Sequence, residues 1–149
     1  MSYSGRYVIK NQQKYMGTNG PALIYKSRNE LVVFDKMDND PKVIRWGYEI
    51  LEIPYFCQVD SKIHKYRTDI YCEIMQDGKP MKCLIEVKSS EDLKQPTRPT
   101  LMNPRSKTRY NLAMRTFIVN MNKWKAAADF CKKSGIKFMF LTEKDIEKT

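Results

Sequence analysis

The order of patterned segments predicts an α/β fold, a central mixed four-stranded sheet flanked by helices, in one domain spanning residues 1–149. Three observations carry the expectation. Residues 46–56, 66–75 and 81–88 are apolar-rich runs of strand character following one another through short polar turns. A helical apolar stripe comes next, and one more strand-like run, 136–141, follows it. Strands joined by a tight turn are usually antiparallel neighbours, whereas a strand reached through a helix can pair parallel with a core strand, so the sheet is mixed.

Taken in order, residues 1–22 are rich in Tyr, Lys and Asn without strong periodicity and read as an N-terminal arm, free to contact a partner or to pack back on the domain. Ser27-Arg28-Asn29-Glu30 before Leu31, Val32, Val33 and Phe34 has the form of a capping box, so a helix starts near Ser27 and ends by Asn39-Asp40-Pro41. Trp46 to Phe56 reads as the first strand, Gln58 to His64 as a polar turn, and Tyr66 to Met75 as the second strand. That second strand places Arg67, Asp69, Tyr71 and Glu73 on one side. Gln76-Asp77-Gly78-Lys79 signals a hairpin leading into a third strand, Met81 to Lys88. Residues 89–105, with Pro96, Pro99 and Pro104, form a loop about as long as a small domain tolerates without a use for it. A basic helix is expected over Ser106 to Phe117. A second helix is expected from an Asn122 cap, with a buried stripe of Trp124, Ala127, Ala128 and Cys131, closed by Gly135.

The chemistry centres on two adjacent strands. Glu86 and Lys88 lie two residues apart, on one face of the third strand and about 6.8 Å apart along it. Asp69 sits on the preceding strand. The pattern acid-x-Lys also occurs at Asp40, Asp60, Asp77 and Asp92, but only Glu86 is embedded in an apolar run, Cys83-Leu84-Ile85-Glu86-Val87. A carboxylate there is costly unless it is paired or binds a cation. A surface Glu–Lys pair is the bland alternative, and the neighbouring Asp69 weighs against it. Glu30 has a ready role as a capping carboxylate, and sequence physics prefers that role for it.

Composition narrows the function classes. A single histidine, His64, read as an exposed turn residue, excludes paired-histidine nucleases, zincins and most histidine-relay hydrolases. Cys57, Cys72, Cys83 and Cys131 form no CxxC pair and read as reduced core residues rather than a zinc site or disulfides. No apolar run reaches the roughly 18 residues of a membrane span, and the N-terminus has no secretory pattern, so work in the cytosol is expected. The net charge is +10, and it is unevenly spread. Residues 79–138 hold 14 Lys or Arg against 4 Asp or Glu, while the other 89 residues hold 13 of each. A local positive field of this kind favours a polyanionic partner, above all nucleic acid.

Asp69 and Glu86-Val87-Lys88 on successive strands of this fold resemble the PD-(D/E)xK nuclease superfamily, with Thr68 where the superfamily pattern has proline. Tyr3-Ser4-Gly5, Tyr25-Lys26-Ser27-x-x-Glu30, Ile53-Pro54-Tyr55-Phe56, Asn120-x-x-Lys123-Trp124-Lys125 and Phe138-x-x-Leu141-Thr142-Glu143 are similar to the head-completion nucleases of tailed phages. The resemblance runs along nearly the whole chain. The C-terminal patterns are also similar to the amino-terminal domain of TnsA-type endonucleases. The resemblance implies a restriction-endonuclease-like core and Mg²⁺-dependent cleavage of DNA, with Mn²⁺ able to substitute, in completing the phage head after packaging. The host cytoplasm, and the virion head itself, are the implied locations, with portal or head–tail connector proteins as partners. It also moves Glu30 into the acidic site. The implied metal ligands are Asp69, Glu86, Glu30 and the Val87 carbonyl, with Lys88 as the catalytic ammonium. Lys94, Arg98, Arg105, Lys107, Arg109 and Arg115 are then expected along the DNA backbone, joined by Lys123 and Lys125. The competing reading is a non-catalytic basic plug that binds DNA and the portal.

Overall fold

The computed structural model describes residues 3–147, so the first two residues of the predicted arm lie outside the described residues. Strands β1 (Gly5–Val8) and β2 (Ala22–Tyr25) precede helix α1 (Arg28–Asn39). Strands β3 (Val43–Tyr48), β4 (Glu52–Cys57), β5 (Lys62–Arg67), β6 (Ile70–Gln76) and β7 (Lys79–Val87) follow. The chain ends with helix α2 (Pro104–Ser134), strand β8 (Lys137–Leu141) and the short helix α3 (Glu143–Glu147). The main sheet is mixed and four-stranded, in the order β3-β6-β7-β8. Its β3–β6 and β6–β7 pairs are antiparallel, and β7–β8 is parallel. This is the expected restriction-endonuclease-like α/β core.

Two long predicted strands each prove to be two. Residues 43–57 and 62–76 run as one antiparallel ribbon that breaks at the same level on both sides. Tyr48 pairs with Ile70 on one side of the break, and Glu52 with Arg67 on the other. Residues 49–51 therefore face only residues 68–69, a bulge of one residue, and Glu49 takes a φ of 56°. The break is stitched by backbone: Glu49 N–H donates to the Asp69 carbonyl at 2.8 Å, and Thr68 N–H to the Leu51 carbonyl at 3.0 Å. Such a bulge bends a ribbon and resets its side-chain alternation. Asp69 thus lies at the bend just before β6, not within a strand, and β4–β5 forms a separate two-stranded sheet. The predicted polar turn is also shorter than residues 58–64, because Lys62 onward is strand and His64 sits on β5 opposite Tyr55. The Asp77-Gly78 turn has positive φ at both residues (50° and 76°), the twist that a two-residue hairpin needs.

The helices after β7 also differ from expectation. Residues 104–134 form one continuous helix of 31 residues. No Gly or Pro interrupts residues 105–134, so nothing breaks it at Asn122. Asn122 is not a cap; its side chain accepts from the Gln58 N–H at 2.8 Å and donates to Gln58 Oε1 at 3.0 Å. The actual cap is Asn103, with Pro104 in the first turn and a reciprocal Asn103–Ser106 capping box. Gly135 closes the helix in the left-handed conformation, φ 69°, as expected. The buried stripe is Trp124, Ala127 and Cys131, while Ala128 is exposed.

Two cores sandwich the sheet. Val33, Phe34 and Met37 of α1 pack with Trp46, Ile70, Cys72, Cys83 and Ile85 on one side, joined by Tyr7 and Leu23 of the β1–β2 pair. On the other side Trp124, Ala127 and Cys131 of α2 pack with Tyr71, Leu84 and the inner face of β4–β5, namely Ile53, Tyr55 and Tyr66. None of the described helices is long and apolar enough to cross a membrane.

The segment before α1 is held by a buried carboxylate that its sequence does not advertise. Asp38 has no exposed surface, and it accepts from the Tyr7 hydroxyl at 2.6 Å and from the N–H groups of Lys10 (2.8 Å) and Asn11 (2.9 Å). Burial alone would raise its pKa, but these donors outweigh burial and hold it below the ordinary carboxylate value. Asp38→Ala leaves three donors without their acceptor. We expect it to cost about 2–4 kcal/mol, read as a lower urea midpoint; a midpoint within error of wild type would show that the anchor is dispensable.

Candidate active site

The antiparallel ladder of β6 and β7 ends with Ile70 opposite Ile85, so the next residues out, Asp69 and Glu86, stand level with each other. Asp69 stays tied to β7, because its Oδ2 accepts from the Val87 N–H at 2.9 Å. The alternation of β7 sends Ile85 and Val87 into the α1-side core and Leu84 to the α2 side. Glu86 follows Leu84's side and meets α2 and β5. The Tyr66 hydroxyl donates to Glu86 Oε2, and the Trp124 indole N–H lies beside the same carboxylate. Lys88 continues past the strand end, its N–H donating to the Leu141 carbonyl at 3.1 Å.

Glu30 arrives from the opposite layer. The Ser27 hydroxyl accepts from the Glu30 N–H at 3.1 Å, which caps α1. The reciprocal bond differs from expectation: Glu30 Oε1 accepts from the Lys26 N–H at 2.6 Å, not from that of Ser27. Its other oxygen accepts from the Tyr48 hydroxyl at 3.1 Å. Capping and cleft lining are therefore compatible in this one side chain, which is 7 % exposed.

Glu30, Asp69, Glu86, Val87, Lys88 and Lys123 all line one cleft of about 440 Å³ at the open end of the sheet. The other predicted basic residues are distributed differently. Lys94 lines a second cleft of about 460 Å³, which shares Lys88 and Asp92 with the first. Arg109 borders a smaller hollow beneath Pro96 and Pro99. Arg98, Arg105, Lys107, Arg115 and Lys125 are exposed on the loop and on α2. Lys125 lies about 200° around the helix from Lys123, so the two cannot serve the same surface.

The electrostatics are those of crowded carboxylates. Burial first, and then the charge of Glu86, push Asp69 up to about 8, while the Val87 N–H and Lys88 pull it back only in part. Burial also raises Glu86, against the Tyr66 hydrogen bond and the positive charges of Lys88 and Lys123. Tyr66 is itself raised, by burial and by the charge of Glu86, so it remains a donor over the working pH range. Lys123 Nζ sits 5.7 Å from the centre of the Tyr66 ring. A second ammonium therefore faces the acids beside Lys88.

Tyr48 and Tyr66, which hold Glu30 and Glu86, were not among the site residues read from the sequence. A tyrosine among inward-facing strand positions signals only that its hydroxyl needs a partner. The partner here is decided across the bulge.

A mixed sheet with an acid pair and lysines at its open end defines an α/β domain of the restriction-endonuclease-like class. Residues 40–143 match the family described as TnsA-like endonuclease N terminal, and the chain belongs to that family. It is also 38 % identical over 143 residues to the head completion nuclease of Enterobacteria phage T4, covering 96 % of this chain and 93 % of the phage protein.

The raised Asp69 has a thermodynamic consequence in metal-free protein. A carboxyl whose folded pKa exceeds its ordinary value of 3.8 contributes stability that is complete below about pH 4 and is lost as pH rises to about 8. Asp69→Asn removes the ionisation. We expect the variant to gain on wild type across this window, reaching at least about 1 kcal/mol, or roughly 2–4 °C in Tm, by pH 8 with chelator present. A Tm difference that stays constant from pH 4 to pH 8 would contradict the crowding of these acids.

Proposed function

We propose that this chain is a metal-dependent DNA endonuclease that acts in phage head completion after packaging. The observation that carries the reading is the level placement of Asp69 and Glu86 in an open cleft flanked by Lys88. A buried Glu86 beside a half-buried Asp69, both with raised carboxyl pKa, is a poor arrangement for binding a polyanion alone and a good one for a hard divalent cation. The donor set consists only of oxygens, which suits Mg²⁺, with Mn²⁺ as a substitute. Asp69, Glu86 and the Val87 carbonyl, with Glu30 adjoining, would hold the ion. When bound, it supplies Lewis-acid activation of the scissile phosphate and of water.

The chain's own groups do the rest. The Lys88 ammonium orients the attacking water and stabilises charge that develops on the phosphate oxygens. Lys123 adds a second positive charge, and its contact with the Tyr66 ring keeps it directed toward the cleft. Tyr66 and Trp124 hold Glu86 in one rotamer, and Tyr48 with the Lys26 N–H does the same for Glu30. Lys94, Arg98, Arg105, Lys107, Arg109 and Arg115 position the DNA backbone without reading its sequence, whereas Lys125 is turned to another surface than Lys123. Family membership and the similarity to a phage head completion nuclease support the substrate class and the setting. Portal or connector proteins are the implied partners, in the host cytoplasm and in the virion head.

The test is plasmid cleavage in Mg²⁺. We expect nicking or cutting that a chelator abolishes. Glu86→Gln and Lys88→Ala should each lower the rate at least about 10²-fold, by analogy with the loss of a major electrostatic group, while a gel-shift assay still finds DNA bound. Undiminished cleavage in both variants would sink the site. DNA binding with no cleavage by wild type in any divalent ion would favour a non-catalytic plug.

A further inference from the structure

Away from the acidic cleft, the turn of the β4–β5 hairpin gathers a second set of ligand atoms. Cys57 pairs with Lys62 and Tyr55 with His64, so Cys57 and His64 are diagonal neighbours on one face of the hairpin. This is the face that turns Ile53, Tyr55 and Tyr66 inward. Asp60, in the connecting turn, closes the triangle. One ligand atom from each of Cys57, Asp60 and His64 lies within 4.8 Å of the other two.

The turn is built, not loose. Ser61 takes a φ of 58° and donates its N–H to the Cys57 carbonyl at 2.8 Å. The Lys62 N–H holds Asp60 Oδ1 at 3.1 Å. His64 Nε2 lies 2.6 Å from Asp60 Oδ2, and the His64 ring stacks on Tyr55 with centroids 5.8 Å apart. The Cys57 side chain lies beside Asp60. Cys57 is buried, so its sulfur forms the floor of the triangle, with the two more exposed ligands above it.

We propose that Cys57, Asp60 and His64 form a transition-metal site, with Zn²⁺ as the best-suited ion. One thiolate, one imidazole and one carboxylate are the donors that Zn²⁺ takes, at about 2.3, 2.0 and 2.0 Å. A tetrahedral ion with such bonds separates its ligand atoms by about 3.3–3.6 Å. The Asp60–His64 contact would therefore open by less than about 1 Å, a rotamer adjustment in two partly exposed side chains. Coordination deprotonates the Cys57 thiol, and the proton passes to solvent. Three protein ligands leave the fourth position for water on the exposed side. The ion would cross-link the two strands at the hairpin tip, next to the Gln58–Asn122 bonds that fasten this turn to α2. Softer donors separate this site from the all-oxygen cleft, so the two select different metals.

Co²⁺ reports the site independently of any nuclease activity. The reduced full chain, stripped of metal, is titrated with Co²⁺ and then with Zn²⁺. We expect one equivalent of Co²⁺ to give a tetrahedral visible spectrum with a thiolate-to-cobalt charge-transfer band, which Zn²⁺ displaces. His64→Ala, at an exposed position, should weaken binding beyond the roughly 10–100-fold that loss of an outer-shell partner costs. Cys57→Ser should abolish the charge-transfer band, and Glu86→Gln should leave it unchanged. No charge-transfer band in wild type, or a band that survives both His64→Ala and Cys57→Ser, would overturn the proposal.

Discussion

The β6–β7 ladder is the constraint from which the site follows. Its last rung, Ile70 with Ile85, is wholly buried, and slipping it by one residue would turn each side chain of one strand to the opposite core. The apolar residues therefore lock the register, and the locked register sets Asp69 level with Glu86. Two carboxylates are thus forced together where water is scarce. This costs stability in the metal-free chain, and the surrounding hydrophobic packing is what makes the cost tolerable.

The one-residue bulge at 49–51 is the second constraint, because it lets both faces of the sheet contribute to one cleft. Without it, residues 43–57 and 62–76 would continue as a straight ribbon, and Tyr66 would keep the alternation set by β6. With it, β4–β5 folds over toward α2, and the Tyr66 hydroxyl meets Glu86. The same bend carries the Asp69 backbone, through the Glu49 N–H. Glu30 reaches the cleft from the α1 layer, so the acids come from three separate elements and are held by three separate sets of hydrogen bonds. Precision of that kind comes from rigid scaffolding rather than from the acids themselves, which repel one another.

Charge is divided by layer. The acids sit at the sheet's open end, while the positive excess lies on the loop after β7 and along α2. A continuous helix matters here. Two helices with a break near residue 118 could reorient the basic N-terminal half independently. A single 31-residue rod holds it in fixed relation to Trp124 and to the cleft. The clefts that share Lys88 and Asp92 join the acidic pocket to this basic side.

The amino-acid sequence by itself determined the helix after Ser27, the strand character of residues 46–56, 66–75, 81–88 and 136–141, the mixed character of the sheet, the Asp77-Gly78 hairpin and the Gly135 helix stop, but the segment it read as an arm holds strand β1, which pairs with β2. Each of these determinations rests on local chemistry: side-chain period, turn conformation and capping. It also singled out Glu86, since a charge inside an apolar run is conspicuous, and Lys88 two residues on. The break at residues 49–51 and 68–69 was invisible to it, because a bulge is a relation between two strands and neither strand carries a Gly or Pro there to mark it. Asn122 misled for the related reason that a capping residue and a mid-helix residue with a distant partner look alike in one dimension. Only the tertiary structure decided that Tyr66, Tyr48 and Lys123 converge on the acids, that Asp38 anchors the first strands, and that Cys57 lies diagonal to His64. These are meetings between residues far apart along the chain or set by strand register, and packing two cores against one sheet is what brings them together.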